Sequence, residues 1–193
     1  MASDYSELQS VISSGGFSQD AAFSFFSSLQ TADEKSMIGT WRGRECPSGH
    51  ELDGLLTAAP WHGKRFDSSE KVHPLVMDDQ NGVLYTIDPR RVFGLLDNKL
   101  IYKMILSISK NALGGVTDPH KYDALMKLFR TKKYCARLRM LDYKGIITAA
   151  MIYDELPIID IFKKLDDNHV MGLMDIKGKL GENGYFFLLE REP

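Results

Sequence analysis

The chain has 193 residues, enough for one domain to bury a full hydrophobic core. Its 24 Lys and Arg nearly balance 26 Asp and Glu, for a formal charge of -2, so no net field draws nucleic acid or an anionic membrane surface. The polar, partly acidic start lacks the basic and apolar regions of a signal peptide, and no apolar run approaches the roughly 18 residues of a membrane span. Cys46 and Cys135 lie far apart without CxxC spacing, so neither a disulfide nor a thiolate metal site is expected, and a cytoplasmic protein is.

Residues 1–16 are rich in Ser and Gly, with room for a short helix over 5–12. Ser18 has the character of an N-cap, and Asp20 suits the positive end of a helix dipole. Ala22, Phe23, Phe26 and Leu29 recur at helical spacing, which predicts a helix that closes a barrel end or serves as a lid. Met37 to Gly43 reads as a strand, with Gly39, Trp41 and Gly43 on one face and Thr40 and Arg42 on the other. An indole between two glycines suits the plug of a barrel end, since a ring or backbone can approach where no side chain stands. Arg191 and Arg139 are the candidate cations to stack on it. Trp41 is read either as that plug or as a ligand wall.

Glu51 to Ala59 predicts a short helix weakened by Gly54. Pro60 to Phe66 forms a second aromatic and basic cluster, in which Trp61 covers a pocket and Lys64 or Arg65 meets an anionic group, or the Lys64-Arg65 pair is simply solvated. His73–Met77 and Gly82–Ile87 read as a hairpin through Asn81-Gly82. Leu100 to Ser109 reads as a strand, with a helix as the alternative. Residues 111–121 look irregular, and Tyr122 to Phe129 suits a short helix.

Five strands then follow in order: Tyr134–Asp142, Ile146–Tyr153, Ile158–Leu165, His169–Ile176 and Tyr185–Arg191. Runs of β-branched and aromatic residues between Gly, Pro, Asn and Asp clusters mark them. Short connections make neighbours antiparallel, because a parallel return needs a crossover of about a dozen residues or more. The longest connection is a Gly- and Lys-rich loop over 177–184. The expected fold is mainly β: a single antiparallel, calycin-like β-barrel with an N-terminal helix and one or two short helices. One domain is expected over 1–193, with a helical segment at 1–35, a first barrel half at 36–133 and the meander at 134–193.

No GxSxG, HExxH, Walker loop or GxGxxG is present, and the five histidines show no metal-ligand spacing, so no metal and no cofactor are expected. Asp160 stands out, flanked by apolar residues in Pro157-Ile-Ile-Asp-Ile-Phe162. An unpaired buried carboxylate is very costly, so Asp160 needs a partner, and Arg137 is the candidate. The pair is read as a structural ion pair or as the polar anchor of an apolar pocket. Tyr153 and Tyr102 are further candidates to hydrogen-bond a ligand, and Phe162 a further wall.

Gly39-Thr-Trp-Arg-Gly43 matches the signature of the GXWXG domain, and Trp61-His-Gly-Lys64 resembles its second signature. Ala136-Arg137-Leu138-Arg139, Tyr153-Asp154, Pro157-Ile158, Asp160, Phe162 and Gly172-Leu-Met-Asp175 resemble the domain of unknown function 4334 that is usually fused to it. The resemblance covers about residues 25 to 192 and implies little chemistry, because members generally lack an assigned activity. A weaker likeness is to lipocalins, whose early Gly-x-Trp strand and late Arg meet across a barrel end. The expected function is the binding of a small apolar or amphipathic molecule, walled by Trp41, Trp61 and Phe162 and oriented by Asp160 and Arg137. The rival is a cofactor-independent isomerase, cyclase or lyase in which Asp160 moves a proton and Tyr153 or Arg137 stabilises charge. A third reading is a filled, structural or partner-binding barrel.

Overall fold

The computed structural model describes residues 4–97, 99–113, 118–178 and 183–193. The first half of the chain mixes helices and strands: α1 (Asp4–Ser13), α2 (Gln19–Ser28), β1 (Gln30–Thr31), α3 (Glu34–Met37), β2 (Gly39–Cys46), α4 (Leu55–Ala58), β3 (Trp61–Ser68), β4 (Lys71–Asp78) and β5 (Leu84–Thr86). Helices α5 (Pro89–Phe93), α6 (Lys99–Leu113) and α7 (Asp123–Lys127) follow. The second half is strand after strand: β6 (Ala136–Tyr143), β7 (Ile146–Tyr153), β8 (Ile158–Lys164), β9 (His169–Ile176) and β10 (Tyr185–Arg191).

Eight strands close into an antiparallel barrel in the order β8, β7, β6, β4, β3, β2, β10, β9, with β9 pairing back onto β8. Closure removes the open edges that a sheet of this size would otherwise leave. β1 adds two residues to β8, and β5 pairs with β4. Lys144 and Gly145, both at positive φ, form the two-residue turn from β6 to β7, the geometry that matches the strands' twist. Residues 114–117 of the irregular stretch and 179–182 of the β9–β10 loop lie outside the described residues.

Alternation sends each strand's side chains to two different cores. Tyr185, Phe187 and Leu189 of β10 join Ile158 and Phe162 of β8 inside the barrel. Phe186 and Leu188, with Ile161 and Leu173, form an outer layer with Leu8, Ala22, Phe26 and Leu29. The phenyl rings of Phe23 and Phe26 meet Phe186 edge-on. Helix α2 therefore packs on the barrel's outer wall, which corrects its expected place at a barrel end or over a mouth. Its Ser18 N-cap is as expected, accepting from the Ala21 amide at 3.3 Å.

A second correction concerns Leu100 to Ser109, which lies within helix α6. Ile101, Ile105 and Ile108 repeat at helical spacing and face the barrel mouth. Among the described residues, no helix is long and apolar enough to cross a membrane.

Candidate functional site

One end of the barrel is solid. Trp41, 1% exposed, donates its indole N–H to the Met37 carbonyl at 2.7 Å. The Arg191 guanidinium lies 4.2 Å from the indole centroid and hydrogen-bonds the Ser36 and Ile38 carbonyls, closing this end. Above the plug, Phe162 packs edge-on against Phe66 and Phe187. The motif glycines make this packing possible. A Cβ at Gly43 would sit 2.1 Å from the Trp61 ring, and one at Gly63 would sit 1.9 Å from the Trp41 carbonyl oxygen.

The other end is hollow. A cavity of about 170 Å³ opens between the barrel interior and helices α4 to α7. Leu55 and Leu56 of α4, Ile101 and Ile105 of α6 and Met126 beyond them form its roof; Trp61, Met174, Tyr185 and Phe187 form its walls. Lys64, Tyr153 and Asp160 bring ionisable chemistry to this apolar space.

Lys64 Nζ lies 2.7 Å from Asp160 Oδ2, with the two residues 3% and 0% exposed. Their strands occupy opposite walls: β8 reaches β3 through β7, β6 and β4 one way, and through β9, β10 and β2 the other. The ion pair thus crosses the barrel's width on the long lysine stem. Lys64 also donates to the Pro74 carbonyl at 3.2 Å, and its ammonium stands 4.9 Å from the Phe187 ring centroid, 5.9 Å from Tyr153 and 6.0 Å from Trp61. Charge and proximity hold the pair. Burial drives the Asp160 carboxyl upward, against the opposing pull of Lys64 and the neighbouring Tyr153 hydroxyl. Burial, with the Asp160 charge adding, also drives Tyr153 well above the ordinary phenol range, so it stays a neutral hydroxyl.

A second buried carboxylate fixes the roof. Glu45 projects inward from β2, on the same face as Trp41 and Gly43. It accepts from the Gly54 and Leu56 amides at 3.1 Å, from the Thr57 amide at 3.0 Å, and from the Thr57 and Tyr185 hydroxyls. Burial raises its pKa and these donors oppose the rise. Asp53 plays a similar part just before α4, where one oxygen takes the Ser48, Gly49 and His50 amides at 2.8–3.0 Å.

Of the residues singled out in the sequence, Trp61, Lys64, Tyr153 and Asp160 converge on the cavity. Arg137 does not. It faces outward and pairs with Asp154 at 2.8 Å, because Ala136 and Leu138 take the inward positions of β6. Arg139 likewise pairs outside with Glu70. Trp41 and Phe162 lie below the cavity in the filled core. Tyr102 sits on α6 beside the lining residue Ile101, and Glu51 interacts with its hydroxyl, whose pKa is pushed up to about 12 chiefly by burial. Glu45 was not singled out, although the inward alternation of positions 39, 41, 43 and 45 was readable.

The comparisons agree with this architecture. The family model "GXWXG protein" matches residues 24–82, and "Domain of unknown function (DUF4334)" matches residues 134–191. No curated protein matches the chain. A crystal structure of a protein from Thermomonospora curvata is similar over 98% of this chain and 99% of that one, at 28% identity and a TM-score of 0.66. The chain is thus similar to a GXWXG domain over 24–82 and to a domain of unknown function (DUF4334) over 134–191, and the two matched stretches fold into one barrel.

Proposed function

We propose that the barrel binds a small, mostly apolar molecule between its helical roof and the Lys64–Asp160 pair. The observation that carries this reading is the cavity itself: apolar walls around a few convergent polar groups, the usual composition of a ligand site. Its volume of about 170 Å³ is close to the roughly 150 Å³ of an apolar protein cavity that takes up benzene. A ligand of one ring or a short branched chain fits that scale. The Lys64–Asp160–Tyr153 cluster supports a ligand with one polar group directed at the floor.

Methyl-resolved NMR with toluene as probe tests the reading. Saturable shifts at Met77, Met126 and Met174 are expected, because all three line the cavity. Shifts confined to surface methionines such as Met140, or none at all, would overturn it.

A catalytic reading rests on one further observation, the buried Asp160 carboxyl raised above its usual range beside a neutral Tyr153. Such a group suits proton transfer to or from a bound molecule. Its test uses a molecule that native mass spectrometry finds retained from the protein's own cells. Asp160→Asn is expected to abolish conversion of that molecule even at saturating concentration in protein that remains folded by circular dichroism, and equal turnover by wild type and variant would exclude the role.

A further inference from the structure

The floor of the cavity is a closed pair. Lys64 and Asp160 already satisfy each other's charge, and both are sealed from water. A ligand that competes for either group must part them and leave a buried charge without its partner, which is strongly unfavourable. One ligand chemistry avoids this. A carbonyl that condenses with the lysine nitrogen turns an ammonium into an iminium, so the reaction begins and ends with a cationic nitrogen beside the carboxylate, and neither group carries an unpaired charge in between.

Building on the cavity's reading as a ligand site, we propose that Lys64 captures a small aldehyde or ketone as an iminium, with Asp160 as its counter-ion. The geometry supplies each part. Lys64 alone brings an amine to the cavity lining among the described residues. Its nitrogen faces the rings of Phe187, Tyr153 and Trp61, which shelter a delocalised cation as they do the ammonium. The 2.7 Å contact gives the nitrogen a place to leave a proton, and burial has already shifted the Asp160 carboxyl toward holding one.

The step balances. A proton passes from Lys64 Nζ to Asp160 Oδ2 and frees the nitrogen lone pair. The nitrogen attacks the carbonyl carbon, a C–N bond forms, and the carbonyl π pair moves to oxygen. That oxygen takes a proton from the nitrogen, giving a carbinolamine. Asp160 then donates its proton to the hydroxyl, the C–O bond breaks, and water leaves. Ammonium, carboxylate and carbonyl become iminium, carboxylate and one water. Nothing is oxidised or reduced. Cavity size selects a monocyclic or short-chain carbonyl compound over a long-chain one.

The test is reductive trapping of the full chain. Wild-type protein is incubated with benzaldehyde and cyanoborohydride at neutral pH, digested and mapped by mass spectrometry. A solvated lysine is almost wholly protonated there, so N-benzylation of Lys64 is expected to exceed that of any surface lysine by about tenfold or more. Lys64→Arg, which keeps the charge, is expected to lose the adduct and leave surface labelling unchanged. Excess toluene is expected to slow labelling at Lys64 only. If toluene binds but Lys64 labels no faster than surface lysines, the iminium falls and the binding cavity stands. If toluene does not bind and Lys64 is unlabelled, both fall. The wild-type result decides the matter even if the variant does not fold.

Discussion

Lys64 and Asp160 are each hard to bury, and each makes the other tolerable. Removing one partner strands a charge in an apolar interior. Lys64→Met is therefore expected to lower stability by about 3–5 kcal/mol, read by urea denaturation. Replacing both with apolar residues, as in Lys64→Met with Asp160→Leu, removes the stranded charge, and such swaps are often neutral or stabilising by about 1–4 kcal/mol. The double variant is expected to recover most of the single variant's loss while losing benzaldehyde trapping. A double variant as unstable as the single one would show that the pair is needed for the fold itself. At this scale the sequence was half legible. Asp160 drew notice because isoleucines flank it, and an acid there has to be explained. Its partner was misassigned to Arg137, because sequence proximity within the meander says nothing about a residue on the opposite wall.

At the scale of the element, α4 is only four residues long and has no side-chain cap of its own. Glu45 supplies what the helix lacks by accepting the amides of its first turn from across the mouth. That arrangement carries a pH signature. Glu45 ordinarily titrates near 4.5, and burial raises it in the folded chain. The native state therefore binds this proton more tightly than the unfolded state does. The resulting contribution to stability is fully present below pH 4.5 and is lost as pH rises through the higher folded value. Thermal melts of wild type and Glu45→Gln across pH 4 to 7 check the sign. Wild-type stability relative to the variant is expected to fall as pH rises, and a relative gain would contradict it. Elements were more legible than contacts. The turn at Lys144-Gly145 and the short apolar runs of β7, β9 and β10 between turn residues mark those strands in the sequence as they stand in the barrel. Helix α6 was misread because β-branched Ile101, Ile105 and Ile108 and aromatic Tyr102 make a short apolar run that also suits a strand. The burial of both faces of β8 and β10 misplaced α2 in turn. Their outward Ile161, Phe186 and Leu188 require a cover, and α1 and α2 provide it.

At the scale of the molecule, the barrel is asymmetric along its length. The GXWXG signature builds the closed end, where Arg191 locks Trp41 and glycines admit Trp61 and the neighbouring backbone. The helices between β5 and β6 build the open end, and the Lys64–Asp160 bridge marks the boundary between the two. The barrel and its plug were legible because Gly39 and Gly43 flank Trp41 and short apolar runs between turn residues mark the strands, the last of which ends at Arg191. The cavity was not, since its roof comes from four short or ambiguous helices whose placement depends on tertiary packing. Everything proposed for function depends on that space being a true hollow. Xenon-derivatised crystals test this most directly, because xenon enters apolar cavities of this size and reports its position by anomalous scattering. The account predicts one strong xenon peak between Ile105 of α6 and the Lys64–Asp160 pair, ringed by Trp61, Met174 and Phe187. A crystal in which those side chains close over the space and no xenon enters would contradict it.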